Sequence, residues 1–102
     1  MFKNGMRPVH PGEVLNEDYL KPLGMSINAL SKALHAPVSR LNDIVNERRG
    51  VSADTALRLA RFFGGTAQAW LNLQAAYDLR IAEISNGKKI EKEIEPRDIE
   101  LA

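Results

Sequence analysis

Cysteine is absent from this chain. Its absence excludes disulfides and thiolate zinc sites, and it fits a reducing compartment. Histidine occurs only as His10 and His35. With no His-x-x-x-His spacing and no cysteine beside them, no metal site is expected. Long apolar runs are lacking too, and the N-terminal stretch MFKNGMRPVHPGE has no apolar centre of the kind a secretory signal carries. The expectation is a cytoplasmic protein with no membrane partner. No Ser–His–Asp constellation stands out, and neither does a Gly-rich phosphate loop or a buried carboxylate pair. Glu13, Glu17 and Asp18 cluster on one segment, which reads as a solvated helix face. Neither an enzymatic activity nor a cofactor is expected. At 102 residues the chain is one domain, long enough to bury one modest core unaided.

What the chain has is charge in one place. The net charge is only +1, yet residues 26–63 hold six basic side chains (Lys32, Arg40, Arg48, Arg49, Arg58, Arg61) against three acids (Asp43, Glu47, Asp54). A basic stretch within a nearly neutral chain suits a phosphate-contacting surface, although a solvated helix face has the same composition.

The pattern of apolar residues and breakers predicts five helices and no strand. Residues 1–9 form an arm. A first helix begins at His10-Pro11-Gly12-Glu13, buries Val14, Leu15, Tyr19 and Leu20, and stops at Lys21-Pro22-Leu23-Gly24. Ser26 caps a second, over about 26–34, with Ile27, Leu30 and Leu34 at helical spacing. A third starts near Pro37, carries Leu41, Ile44 and Val45 as its apolar stripe, and ends at Arg48-Arg49-Gly50. Ser52 caps a fourth, with Ala56, Leu59, Ala60 and Phe63 on one face and Gly64-Gly65 as its stop. Thr66 caps a fifth, predicted to end at Asn86-Gly87. The domain is thus placed at 10–87. Residues 88–102 are left as a charged tail in which Ile90, Ile94, Ile99 and Leu101 supply some order.

Two short helices joined by a tight turn, the second apolar on one side and polar on the other, describe a helix-turn-helix over about 26–49. Contact of Leu30 and Leu34 with Leu41, Ile44 and Val45 turns the polar face of the third helix outward, where it suits the major groove of double-stranded DNA. The base-reading candidates are Val38, Ser39, Arg40, Asn42, Asp43 and Asn46. Among them, Arg40 has the fork for guanine, Asn42 the amide for adenine, and Asp43 an acceptor for cytosine. Lys32, His35, Arg48 and Arg49 flank that face and are the phosphate candidates.

Four stretches carry a family resemblance. They are HPGEVL at 10–15, the helix-turn-helix at 26–49, RGVSADTALRLARFFG at 49–64 and, most specifically, AWLNLQAAYDL at 69–79. Over about residues 8–87 the chain resembles the HigA antitoxins, also known as the virulence-associated protein I type. The resemblance implies an all-α, five-helix, lambda-repressor-like fold, a homodimer, and repression of the protein's own operon through operator DNA. It also implies direct neutralisation of a HigB-type toxin, an mRNA-cleaving ribonuclease. The sequence departs from the family where Gly-Val-Ser is common before the third helix, holding His35, Ala36 and Pro37. It departs again after that helix, where Asn-Gly is frequent and Asn46-Glu47 stands.

The fifth helix is apolar around much of its circumference, so burial on more than one side is expected. The dimer-interface candidates are Trp70, Leu73, Tyr77, Ile81 and Ile84, with a core helix that has no partner as the plain alternative. Asn72 and Gln74, in the same block, suit backbone hydrogen bonds at the interface or at the end of the third helix. Two rival functions stand beside the antitoxin at this point: a transcriptional regulator of the same fold with no toxin, and a protein-interaction module using the helix-turn-helix as scaffold.

Overall fold

The computed structural model describes residues 7–98; Ile99 and Leu101 lie outside the described residues, as does most of the predicted arm. Pro11 opens the first helix, α1 (residues 11–23), at a position where its missing N–H would have had no partner. The His10 ring closes the same end, its Nδ1 accepting the Gly12 N–H at 2.8 Å. The helix is not regular throughout. Pro11–Val14 and Lys21–Leu23 are α-helical, but Leu15–Leu20 is wound as a π-helix, and Lys21 donates its N–H to Asn16 five residues back. Pro22 supplies the reason. It has no N–H for the carbonyl four residues earlier, and its ring crowds that group, so a wider turn relieves both problems. Gly24, at φ 60°, then ends the helix, and Met25 returns its N–H to the Leu20 carbonyl.

Ser26 caps α2 (Ile27–Leu34) through Ala29 N–H, Ser52 caps α4 (Ala53–Phe63) through Thr55 N–H, and Thr66 caps α5 (Ala67–Glu93) through Ala69 N–H. Between them α3 (Val38–Val45) starts from Pro37, which has no side-chain acceptor to offer. The five helices, with no strand among the described residues, form a lambda-repressor-like helix-turn-helix fold. None is long and apolar enough to cross a membrane.

Every helix contributes to one core. Leu15 and Leu20 come from α1, Leu30 and Leu34 from α2, Leu41 and Ile44 from α3, Ala56 and Leu59 from α4, and Trp70 from α5, with Ala36 and Val51 filling in from the connections. Tyr19 stacks between Phe63 and Trp70, with ring centroids 4.6 and 5.5 Å away. The rest of α5 runs on past this core, giving a molecule 53 Å long and only 21 Å thick.

Two helix ends differ from the sequence expectation. The third helix stops at Val45, not at 49. Glu47 turns into the left-handed region at φ 61°, and Arg48 returns its N–H to the Asp43 carbonyl at 2.8 Å. This closes the last turn as a glycine-type cap does. The fifth helix does not stop at Asn86-Gly87 but continues to Glu93. Gly87 is absent from the residues with positive φ. A glycine that keeps helical angles costs a helix only about 1 kcal/mol relative to alanine and does not end it.

A close backbone approach joins α1 to α3. A Cβ built on Gly12 would lie 1.8 Å from the Ile44 carbonyl oxygen, so the first turn of α1 rests directly on the backbone of the last turn of α3. Gly12→Ala is expected to destabilise the fold by about 1–3 kcal/mol, since backbone, unlike a flexible side chain, cannot move aside cheaply. Thermal unfolding followed by circular dichroism measures this. An unchanged midpoint would show that the two helices can separate at little cost.

Candidate nucleic-acid interface

The packing of Leu30 and Leu34 on Leu41 and Ile44 sets how α3 lies across α2. The turn between them is held from three sides. His35 takes a left-handed conformation at φ 52°, in one of the positions where the family's Gly-Val-Ser departs from this sequence. Ala36 is buried behind it, and its carbonyl accepts a short hydrogen bond from the Ser31 hydroxyl. From α4, Arg58 reaches across and donates Nη1 to the carbonyls of Leu34 at 2.9 Å and His35 at 3.1 Å. A guanidinium on the last carbonyls of α2 satisfies orphan acceptors and sits at the negative end of that helix.

On this scaffold α3 presents Val38 and Ser39 exposed, and Asn42 and Asp43 half-buried beside them. Asn46 is the exposed C-cap residue; its side-chain amide donates back to the Asn42 carbonyl at 2.8 Å and to Asn42 Oδ1 at 3.2 Å. Lys32 and His35 are exposed at the end of α2, and Arg48 and Arg49 are exposed just past α3. The structure thus gathers the sequence candidates around one end and one face of α3.

Two arginines on that surface carry protein partners. Arg48 folds back on Asp43, donating Nε at 3.1 Å and Nη2 at 2.9 Å to the same oxygen. Arg40 lies toward the flank of α3, where its Nη1 donates to Asp54 Oδ2 at 3.1 Å, and that oxygen also accepts Arg58 Nε at 2.8 Å. The hydrogen bond from Arg58, with Arg40 adding to it, holds the Asp54 carboxyl below the usual carboxylate range. Sequence reading missed this link. The Asp54 to Arg58 spacing of four is legible on a helix, but nothing in sequence signals that Arg40 and the 34–35 carbonyls meet them.

The loop that follows α3 is pinned to α5. Gln74 accepts the Val51 N–H at 2.8 Å and donates to Asp78 at 2.9 Å, while its side chain lies against Gly50, where a Cβ would come within 2.9 Å. Gln74 therefore bonds backbone just beyond the third helix, one of its two expected roles. Asn72 pairs instead with Gln68 on its own helix at 2.9 Å.

The expected dimer residues divide. Trp70 is a core residue of its own chain, 5% exposed, and so is not available to a partner. Leu73 packs against the same core, and half-buried Tyr77 meets the His10 ring edge-on at 4.8 Å. The reason is position: these residues fall on the first turns of α5, which lie against the domain. Ile81 and Ile84, further along, are 38% and 57% exposed.

Glu47 occupies a left-handed position without glycine's freedom. Glu47→Gly is expected to stabilise the protein by about 1 kcal/mol, the cost of holding a Cβ there less glycine's greater freedom when unfolded. Chemical denaturation would measure it, and a lower midpoint for the variant would show that the Glu47 side chain makes compensating contacts.

Comparison with known proteins agrees with this geometry. A helix-turn-helix family profile matches residues 17–70. Virulence-associated protein I of Dichelobacter nodosus is 64% identical over 81 residues, covering 79% of this chain and 75% of the relative. An addiction module antidote protein of a HigA family from Coxiella burnetii superposes with a TM-score of 0.86 at 53% identity, covering 90% of this chain and all of that one. The Pseudomonas aeruginosa antitoxin HigA, solved with its higBA promoter, superposes with a TM-score of 0.86 at 51% identity over 88% of this chain and 98% of that one. With this fold, this profile match and these relatives, the chain belongs to the HigA family of helix-turn-helix antitoxins.

Proposed function

We propose that this protein binds operator DNA as a homodimer, represses its own operon, and neutralises a HigB-type ribonuclease by direct binding. The observation that carries the DNA reading is the polar, solvent-facing start of α3, seated on α2 and braced by Arg58 from α4. Ser39 and Asn42 face outward as base readers, Val38 offers an apolar contact for a thymine methyl group, and Arg40 joins from the flank. Asp43 and Asn46 complete the face, and Lys32, His35, Arg48 and Arg49 grip phosphates on either side. That the P. aeruginosa relative was solved with its higBA promoter supports DNA binding by this fold.

A single helix-turn-helix spans too few base pairs to define an operator, so two copies must act across a dyad, with half-sites about 34–36 Å apart. Ile81 and Ile84 of α5, which the protomer leaves exposed, are the residues proposed to join them. The toxin contact rests on family membership. Its test is whether the protein restores growth when co-expressed with the product of a neighbouring small reading frame.

Binding titrations on the protein's own promoter test the DNA reading. Arg40→Ala and Asn42→Ala are each expected to weaken operator binding by about 1–3 kcal/mol and to relax preference at one base pair. Arg48→Ala and Arg49→Ala are expected to weaken binding to all sequences alike and to flatten the salt dependence by about one unit each. Wild-type discrimination in the first pair, or selective loss of discrimination in the second, would reverse the respective roles.

A further inference from the structure

Arg40 is the one proposed base reader whose guanidinium is held by a residue outside the recognition helix. Its Nη1 rests on Asp54 Oδ2 at 3.1 Å, and its side chain is 29% exposed. Asp54 is itself fixed. It sits in the first turn of α4, where the helix favours a negative charge. The oxygen that meets Arg40 also accepts Arg58 Nε at 2.8 Å, and Arg58 is anchored in turn by the Leu34 and His35 carbonyls. Arg58 has three acceptors, whereas Arg40 has one contact with this network, made through one nitrogen. The arrangement therefore constrains the direction of the Arg40 fork while leaving donors for a base edge.

The geometry points to Asp54 as a positioning residue for DNA recognition, a carboxylate on α4 that holds the Arg40 fork ready for a guanine edge and turns it away from indiscriminate phosphate contacts. This rests on the proposed operator binding and on Arg40 as a base reader. An arginine side chain loses rotamer freedom when it docks, and one already held in place loses less. Bidentate pairing with guanine requires a fork in a fixed plane, whereas a phosphate accepts an arginine from many directions. A carboxylate beside the guanidinium also repels phosphate. Loss of the Asp54 carboxylate should therefore weaken operator binding without weakening non-specific binding, an outcome that simple loss of structure cannot produce.

The experiment is a double-mutant cycle on the full chain, with Asp54→Asn, Arg40→Ala and the double variant titrated against the protein's own promoter and against a scrambled duplex of equal length. Asp54→Asn is expected to lower promoter affinity by about three- to ten-fold, the scale of one ordered side chain together with an exposed ion pair. It should leave scrambled-duplex affinity unchanged or raise it. It should also relax preference at the same base pair as Arg40→Ala, and in the Arg40→Ala background its effect on promoter binding should vanish. Asp54→Glu, which restores the charge, should recover part of the loss. A parallel fall on both duplexes, an undiminished effect in the Arg40→Ala background, or unaltered promoter binding would each overturn the proposal. If the wild-type protein did not distinguish promoter from scrambled DNA, the operator-binding reading would fail first and this proposal with it. If Arg40→Ala weakened both duplexes equally, only the base-reading role and its positioning by Asp54 would fall.

Discussion

The backbone contact between Gly12 and Ile44 is the constraint on which the rest of the molecule is arranged. A recognition helix of two turns has little packing surface of its own. Here Leu41 and Ile44 fill the core on one side, and the first turn of α1 lies on the carbonyl end of the helix with no room for a Cβ between them. That approach fixes the depth at which α1 sits, and with it His10, whose ring caps α1 and packs against Tyr77 of α5. The long helix is thereby tied to the recognition helix through α1 as well as through the loop that Gln74 holds. An exposed element that must keep a fixed orientation has rigid support from behind, and its polar face is left unobstructed.

The front of the same helix is organised by charge. Three arginines around it, Arg40, Arg48 and Arg58, are each bonded to a carboxylate or to a helix-end carbonyl. Exposed ion pairs of this kind add little stability. Their consequence is directional: they narrow the range of conformations that long cationic side chains sample before DNA arrives. Arg58 takes this furthest, because it fixes the turn of the helix-turn-helix from a third helix and so links α4 to the angle between α2 and α3.

Much of this was legible in the sequence because the signals are local. Ser26, Ser52 and Thr66 announce three helix starts through side-chain caps, and Leu30, Leu34, Leu41, Ile44, Leu59 and their spacing define the buried faces. Where the reading and the structure part, the deciding interaction is conformational or distant. Asn86-Gly87 resembles a stop, but Gly87 keeps helical angles and α5 continues. The third helix ends before Arg48-Arg49-Gly50 because Glu47, not a glycine, takes the left-handed position. Trp70 reads as surplus apolar surface until Tyr19 and Phe63 are seen to enclose it. The π-helical turn ahead of Pro22 and the meeting of Arg40 with Asp54 have no counterpart in residue periodicity.

In the proposed function, two copies of this surface read one operator across a dyad. Hydroxyl-radical footprinting on the protein's own promoter tests this with the wild-type chain, because it reports which deoxyriboses the bound protein shields. Two protected stretches related by a two-fold axis are expected, their centres about one helical turn, or 34–36 Å, apart on one face of the duplex. A single unpaired protected stretch, or uniform protection without boundaries, would contradict it.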